Sequence, residues 1–161
     1  MKLHIFTTGG TIDKIYFDAK SDYEVGEPVV DTILKQAHAS IEYSITALMR
    51  KDSLEMTNED REVIRDAVRD CDEDKVLITH GSDTMTETGK ALVDIPSKTI
   101  VLTGSLKPAR FQESDAVFNI GAAIAAVQSL PAGVYIIMNG CVFNAQRVRK
   151  NREANRFEAL D

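Results

Sequence analysis

"KVLITHGSDTMTET", residues 75–88, runs from an unbroken apolar stretch straight into a cluster of hydroxyls and acids. Val76, Leu77 and Ile78 show no alternation, which marks a strand covered on both faces. After Gly81 the spacing turns helical, and the sequence predicts a helix over Asp83–Val93, with Asp83 as its N-cap. The same unit recurs along the chain. Leu3–Thr7 is a short apolar run ending in Thr-Gly-Gly, "KTIVLTGS" (98–105) precedes a helix over Ser114–Ser129, and "GVYIIMNG" (133–140) is a further strand. Strands alternating with helices predict an α/β fold: a mostly parallel sheet with helices on both faces, three layers deep, Rossmann- or flavodoxin-like, in a single domain.

The remaining segments fit between these units. Residues 13–28 are polar with scattered aromatics and read as a hairpin or mobile loop. Asp31–Ala39 makes a short helix and Ile41–Leu48 a strand. Thr57 caps a helix whose first turn is acidic, and Val63, Ile64, Ala67, Val68 and Cys71 fall on one apolar stripe. The carboxyl ends of the strands read "TTGGT" (7–11), "THGSD" (79–83), "TGS" (103–105) and "NG" (139–140). Ligands of open α/β sheets bind at that rim. The hydroxyl cluster of residues 79–88 therefore lies where the fold places its site.

Bulk properties narrow the function. A chain of 161 residues suits one domain and buries roughly 70% of its unfolded surface, so it needs no metal or disulfide to fold. A net charge of −6 argues against nucleic acid or an anionic membrane as partner. Cys71 and Cys141 have no metal-like spacing and read as two buried thiols of a reducing compartment. The N-terminus enters a strand at once and carries no apolar run long enough for a signal peptide or membrane span, so the expected location is the cytoplasm.

Several chemistries are open to such a rim. Phosphate binding lacks a GxGxxG or Walker motif. A metal site lacks histidines at ligand spacing, since His4, His38 and His80 are scattered. Hydroxyl chemistry remains, with Thr11 projecting from a glycine turn and needing a base to take its proton. Against it stands the plain alternative that Thr11 and Ser82 satisfy turn backbone.

"TTGGTIDK" and "THGSDTMTET" resemble the two signature segments of the bacterial-type L-asparaginase and glutaminase-asparaginase family. The likeness continues in "SDYEVG" (21–26), "DSLEMT" (52–57), "VLTGSLKPARFQESDAVFNIGAA" (101–123) and "RVRKN" (147–151). The resemblance implies hydrolysis of the side-chain amide of asparagine, sometimes glutamine, through a threonine acyl-enzyme without a cofactor. It implies Thr11 as first catalytic threonine and Tyr23 as its loop partner. Ser53 would bind the substrate α-carboxylate. Ser82 and Asp83 would stand for the second catalytic hydroxyl and the acid that grips the α-amino group. Lys150 would complete a hydroxyl–lysine–acid set with them. Backbone N–H groups near Gly10 and Ser82 would serve the oxyanion. Taken alone, Lys150 reads as a solvated member of the basic run "RVRKNR", and "ARFQESD" caps and orients the next helix.

Three departures accompany the likeness. Ser82 replaces a threonine and loses the methyl that restricts χ1. Leu54 stands where many relatives carry a polar residue. The chain matches only the N-terminal domain of the family, over 1–161, whereas relatives use a C-terminal domain of a neighbouring subunit to close each site. A homo-oligomer, most simply a dimer, is the expected way to cover that face. The alternative function is an amino-acid-binding or regulatory module that hydrolyses poorly. A flavodoxin-like nucleotide binder rests on fold class alone.

Overall fold

A computed structural model describes residues 1–161. In chain order the elements are β1 (Lys2–Gly9), β2 (Lys14–Phe17), β3 (Asp22–Val25), α1 (Val30–Gln36), β4 (Glu42–Lys51), α2 (Asn58–Asp70), β5 (Lys75–Thr79), α3 (Met85–Ala91), β6 (Thr99–Thr103), α4 (Ala116–Ser129), β7 (Gly133–Met138), β8 (Cys141–Asn144), β9 (Val148–Asn151) and β10 (Arg156–Ala159). Six strands form one sheet in the order β4-β1-β5-β6-β7-β8. All pairings in it are parallel except β7 with β8. The strands β2/β3 and β9/β10 form two separate antiparallel ribbons.

Successive side chains of a strand serve opposite faces, and the buried residues divide accordingly. Val76, Ile78, Ile100 and Leu102 join a cluster with Ile64 and Val68 of α2 and Met85 of α3. Leu77 and Val101 join a second cluster with Val30, Ile33 and Leu34 of α1 and Ile120, Ala123 and Val127 of α4. The continuous apolar runs are continuous because each face has its own helix pair, so the predicted three-layer α/β architecture holds. No helix is long and apolar enough to cross a membrane.

Some boundaries and roles differ from expectation. The helix expected from Asp83 begins at Met85, with Thr84 in the capping position. Asp83 stays in the preceding turn because its carboxylate is engaged by Lys150, 67 residues away in sequence. On α2 the expected cap is present: Thr57 and Asp60 form a capping box. Val63, however, is 50% exposed. It lies one position from Ile64, about 100° around the helix, at the edge of the stripe rather than within it. Arg61 takes the buried place instead. Cys71 and Cys141 are free thiols, but neither is buried: Cys71 is half-buried and Cys141 exposed, the latter because it opens the edge strand β8. The strands β8, β9 and β10 had no clear sequence signal. Their inward residues are few: Phe143, Val148 and Phe157 join the first core cluster, and their neighbours are polar or, like Val142, apolar but exposed.

Candidate active site

Gly9 and Gly10 carry the chain out of β1 with φ of +102° and +88°, values open to glycine without steric cost. Gly10 N–H donates to Lys51 O at 2.9 Å. A Cβ on Gly10 would overlap the Gly81 backbone. This contact sets the turn after β1 against the turn after its sheet neighbour β5, and so brings Thr11 and Ser82 to adjacent strand ends.

Thr11 opens a 3-10 turn, Thr11–Asp13. It lines a cavity of about 480 Å³ together with Lys14, Asp22, Tyr23, Leu106, Pro108 and Phe111. Tyr23 is presented by β3, 46% exposed, with its ring 5.4 Å from Tyr16 and 5.9 Å from Phe111. Ser82, Asp83 and Lys150 do not line this cavity. They form a second group beside it. Lys150 Nζ donates to Ser82 Oγ at 2.7 Å and to Asp83 Oδ1 at 2.8 Å. The Lys150 side chain is only 8% exposed, so it is not a solvated member of a basic run. Arg152 adds a hydrogen bond to Asp83 O at 3.2 Å.

Ser53 sits beneath the same turn. It is buried, and a Cβ on Gly81 would lie 2.7 Å from its Cβ and Oγ. Thr84 N–H donates to Ser53 Oγ at 3.2 Å, and Thr84 Oγ1 donates to Ser53 O at 2.8 Å. Ser53 Oγ keeps its own proton for a further acceptor. Of the two amides considered as oxyanion donors, Gly10 N–H is taken by Lys51, whereas Ser82 N–H has no partner within the chain. Leu54 is 60% exposed beside Ser53.

Two buried groups at this rim were not singled out by sequence. Asp13 follows Thr11 by two residues and is almost fully buried. Its Oδ1 accepts from Val29 N–H at 3.0 Å, and its Oδ2 has no partner. Burial pushes its carboxyl up to about 7, against the Val29 hydrogen bond and the charges of Arg110 and Arg50. Asp13 O accepts from Gly26 N–H at 2.8 Å. The residue thus ties together both ends of the β2/β3 hairpin that carries Tyr23. His80, at the end of β5, is fully buried, and burial pushes its imidazole down to about 4. An acid at the start of a segment that reads as a polar loop, and a histidine without a metal partner, gave the sequence no sign of burial. Asp115 stands in the capping position of α4 without a side-chain cap; Ser114 Oγ accepts from Ala116 N–H at 3.1 Å instead, and the Asp115 carboxylate accepts from Leu106 and Lys107 N–H and from Asn139 Nδ2, fixing the loop after β6.

At the opposite end of the sheet, ligand atoms of His4, Cys71 and Glu73 lie within 4.8 Å of one another, a grouping the sequence spacing does not suggest. Lys98 Nζ is 3.7 Å from Cys71 Sγ and Lys2 Nζ 3.2 Å from Glu73, so cations of the chain already face this group.

The family model described as "Asparaginase, N-terminal" matches residues 2–161. A glutaminase-asparaginase of Acinetobacter glutaminasificans is 31% identical over 160 residues, covering 91% of this chain and 48% of that protein. A glutamyl-tRNA(Gln) amidotransferase subunit of Aeropyrum pernix is 34% identical over 158 residues, covering 86% of this chain and 35% of that protein. The solved L-asparaginase of Thermococcus kodakarensis superposes with a TM-score of 0.85 at 29% identity, covering 99% of this chain and 51% of that one. The chain thus spans about half the length of the two asparaginase relatives and about a third of the amidotransferase polypeptide.

Proposed function

The chain belongs to the asparaginase family, and on that premise we propose that it hydrolyses the side-chain amide of L-asparagine, or of a related small amide, to the acid and ammonia through a threonine acyl-enzyme. The observation that carries the proposal is the buried Lys150, which joins Ser82 Oγ to Asp83 Oδ1. A bare amino-acid pocket has no use for an ammonium held on a hydroxyl.

In this reading Thr11 Oγ attacks the amide carbon. Ser82 N–H, free of other partners, meets the developing oxyanion. Lys150, through Ser82 Oγ, passes a proton to the departing nitrogen, which leaves as ammonia, and recovers one from the attacking hydroxyl. Tyr23 closes over Thr11 from the hairpin. Water then cleaves the Thr11 ester and releases the acid. Ser53 Oγ donates to the substrate α-carboxylate, Asp83 holds the α-amino group, and Gly10 gives the backbone the close approach the pocket needs. The chain stands as the family's N-terminal domain, and a homodimer covers the exposed aromatics Tyr16, Phe17, Tyr23 and Phe111. One observation favours the alternative of a weakly hydrolysing binding module: Leu54 offers the substrate no polar contact and is open to solvent.

The test is ammonia release from L-asparagine and L-glutamine by the 161-residue chain, beside Thr11→Ala and Lys150→Ala. Release by the wild type that disappears in both variants is the expected result. A silent wild type whose melting temperature still rises with asparagine would replace the enzyme by the binding module.

A further inference from the structure

We infer that His80 is a positioning residue for the amide hydrolysis: it fixes the Gly81 carbonyl in the interior and thereby turns the Ser82 N–H toward the substrate. The inference rests on the amidohydrolase reading of the site. It concerns a residue that touches neither substrate nor reacting atoms.

The ring of His80 is fully buried and both its nitrogens are engaged. Nδ1 lies 2.7 Å from Gly81 O and Nε2 2.7 Å from Thr88 Oγ1. A carbonyl oxygen only accepts, so Nδ1 carries the proton. In the neutral ring Nε2 is then the acceptor, and the Thr88 hydroxyl donates to it. Thr88 Oγ1 in turn accepts from Arg61 Nε at 3.2 Å, and a guanidinium only donates. Every direction in the line Arg61–Thr88–His80–Gly81 is therefore fixed. The weaker alternative for the Thr88 proton, Met56 Sδ at 3.7 Å, would leave Nε2 without a donor. Burial and the Arg61 charge keep the ring neutral, which this line requires. The His80 backbone is fixed as well: its N–H donates to Thr103 O at 2.9 Å, and Gly104 packs so close to His80 O that no side chain fits there.

The consequence follows from peptide planarity. Gly81 C=O and Ser82 N–H belong to one trans peptide, and its two dipolar ends point in opposite directions. Pinning the carbonyl on His80 aims the N–H the other way. Ser82 is 6% exposed, yet its N–H is bonded to nothing in the chain. A buried amide without a partner is costly, and an anionic oxygen on the substrate relieves that cost. A flipped peptide would instead place the Gly81 carbonyl where the oxyanion forms.

The test pairs tautomer spectroscopy with two isosteres. Nitrogen-15 spectra of the wild type at pH 7 should show His80 neutral with the proton on Nδ1. Asparagine at position 80 places its amide nitrogen where Nδ1 stands; glutamine places it where Nε2 stands. His80→Gln should lower kcat by about 10²–10³-fold, the loss that follows removal of one oxyanion donor, with KM little changed. His80→Asn should lose far less. Should either variant fold poorly, Thr88→Val is expected to lower kcat and Thr88→Ser to restore it. L-aspartate should shift the Ser82 amide resonance in the wild type and not in His80→Gln. A proton on Nε2, a charged ring at pH 7, a His80→Gln enzyme with wild-type kcat, or a loss equal in His80→Asn and His80→Gln would each overturn the inference. A wild type that releases no ammonia, with the Nδ1–H tautomer present, would overturn the amidohydrolase reading instead.

Discussion

Replacing Asp13 by asparagine should change the pH dependence of folding stability in a direction opposite to ordinary carboxylate behaviour. Asp13 is raised from 3.8 to about 7 in the folded chain, so between those values the native state holds a proton that the unfolded state has lost. Its stabilising contribution is complete below pH 4 and is lost as pH rises through 7. The slope is about −1.4 kcal/mol per pH unit over about three units, a total on the order of 4 kcal/mol. His80 acts with the reverse sign. It is lowered from 6.5 to about 4, so between those values the unfolded state binds the extra proton. Its contribution is complete above pH 6.5 and is lost as pH falls toward 4, on the order of 3 kcal/mol.

The two slopes cancel between about pH 4 and 6.5 and leave only the last part of the Asp13 loss above that. Carboxylates held low by their partners, such as Asp52, Asp60, Glu73 and Asp115, lose their contributions as pH falls through 4.5 for the glutamate and 3.8 for the aspartates, at and below the lower edge of this window. Urea denaturation followed by circular dichroism should therefore give the wild type a nearly flat profile from pH 4 to 6.5 and a decline toward pH 8. Asp13→Asn keeps the acceptor for Val29 N–H but cannot ionise. Its stability should rise by about 3 kcal/mol from pH 4 to 6.5 and then stay level, the slope of His80 alone. A variant profile parallel to the wild type's would show that Asp13 titrates in the native state as it does in water, and the account of its burial would be wrong.

Other substitutions probe the site and its frame. Lys150→Met should lower kcat for ammonia release by about 10²–10⁴-fold, the usual scale of acid–base assistance, while circular dichroism shows the fold retained. Gly10→Ala must place a Cβ at φ +88° against the Gly81 backbone; it should cost at least ~1–2 kcal/mol from conformation alone, read as a lower urea midpoint. Thr57→Ala removes half of the capping box on α2 and should cost about 1 kcal/mol with kcat unchanged.

The legibility of this chain divides along the range of the interactions involved. The sheet could be read because Val76–Ile78, Ile100–Leu102 and Val134–Ile137 are apolar on both sides, a local pattern that needs no partner to interpret. Thr57 could be read as a cap because the N–H that donates to its hydroxyl, that of Asp60, is three residues away. The ribbon β9/β10 could not, since four-residue strands with one inward residue each leave no period to detect. Yet that ribbon carries Lys150 to Asp83, and without the likeness of "RVRKN" to the family the lysine reads as solvent-exposed.

Asp13 and His80 illustrate the opposite limit. Each is polar, each lies beside a glycine turn, and each looks by sequence like a residue for the surface or for chemistry. Tertiary burial favours the neutral form of both, at positions next to the two candidate hydroxyls. Below pH 7 these uncharged polar groups let the turns after β1 and β5 be held by hydrogen bonds without adding a charge beside the Lys150–Asp83 pair. A charge at either place would compete with that pair for the substrate's own charges. The neutrality depends on how deeply the turns are covered by α1, α3 and the hairpin, and that depth is a property of the assembled fold rather than of any stretch within it.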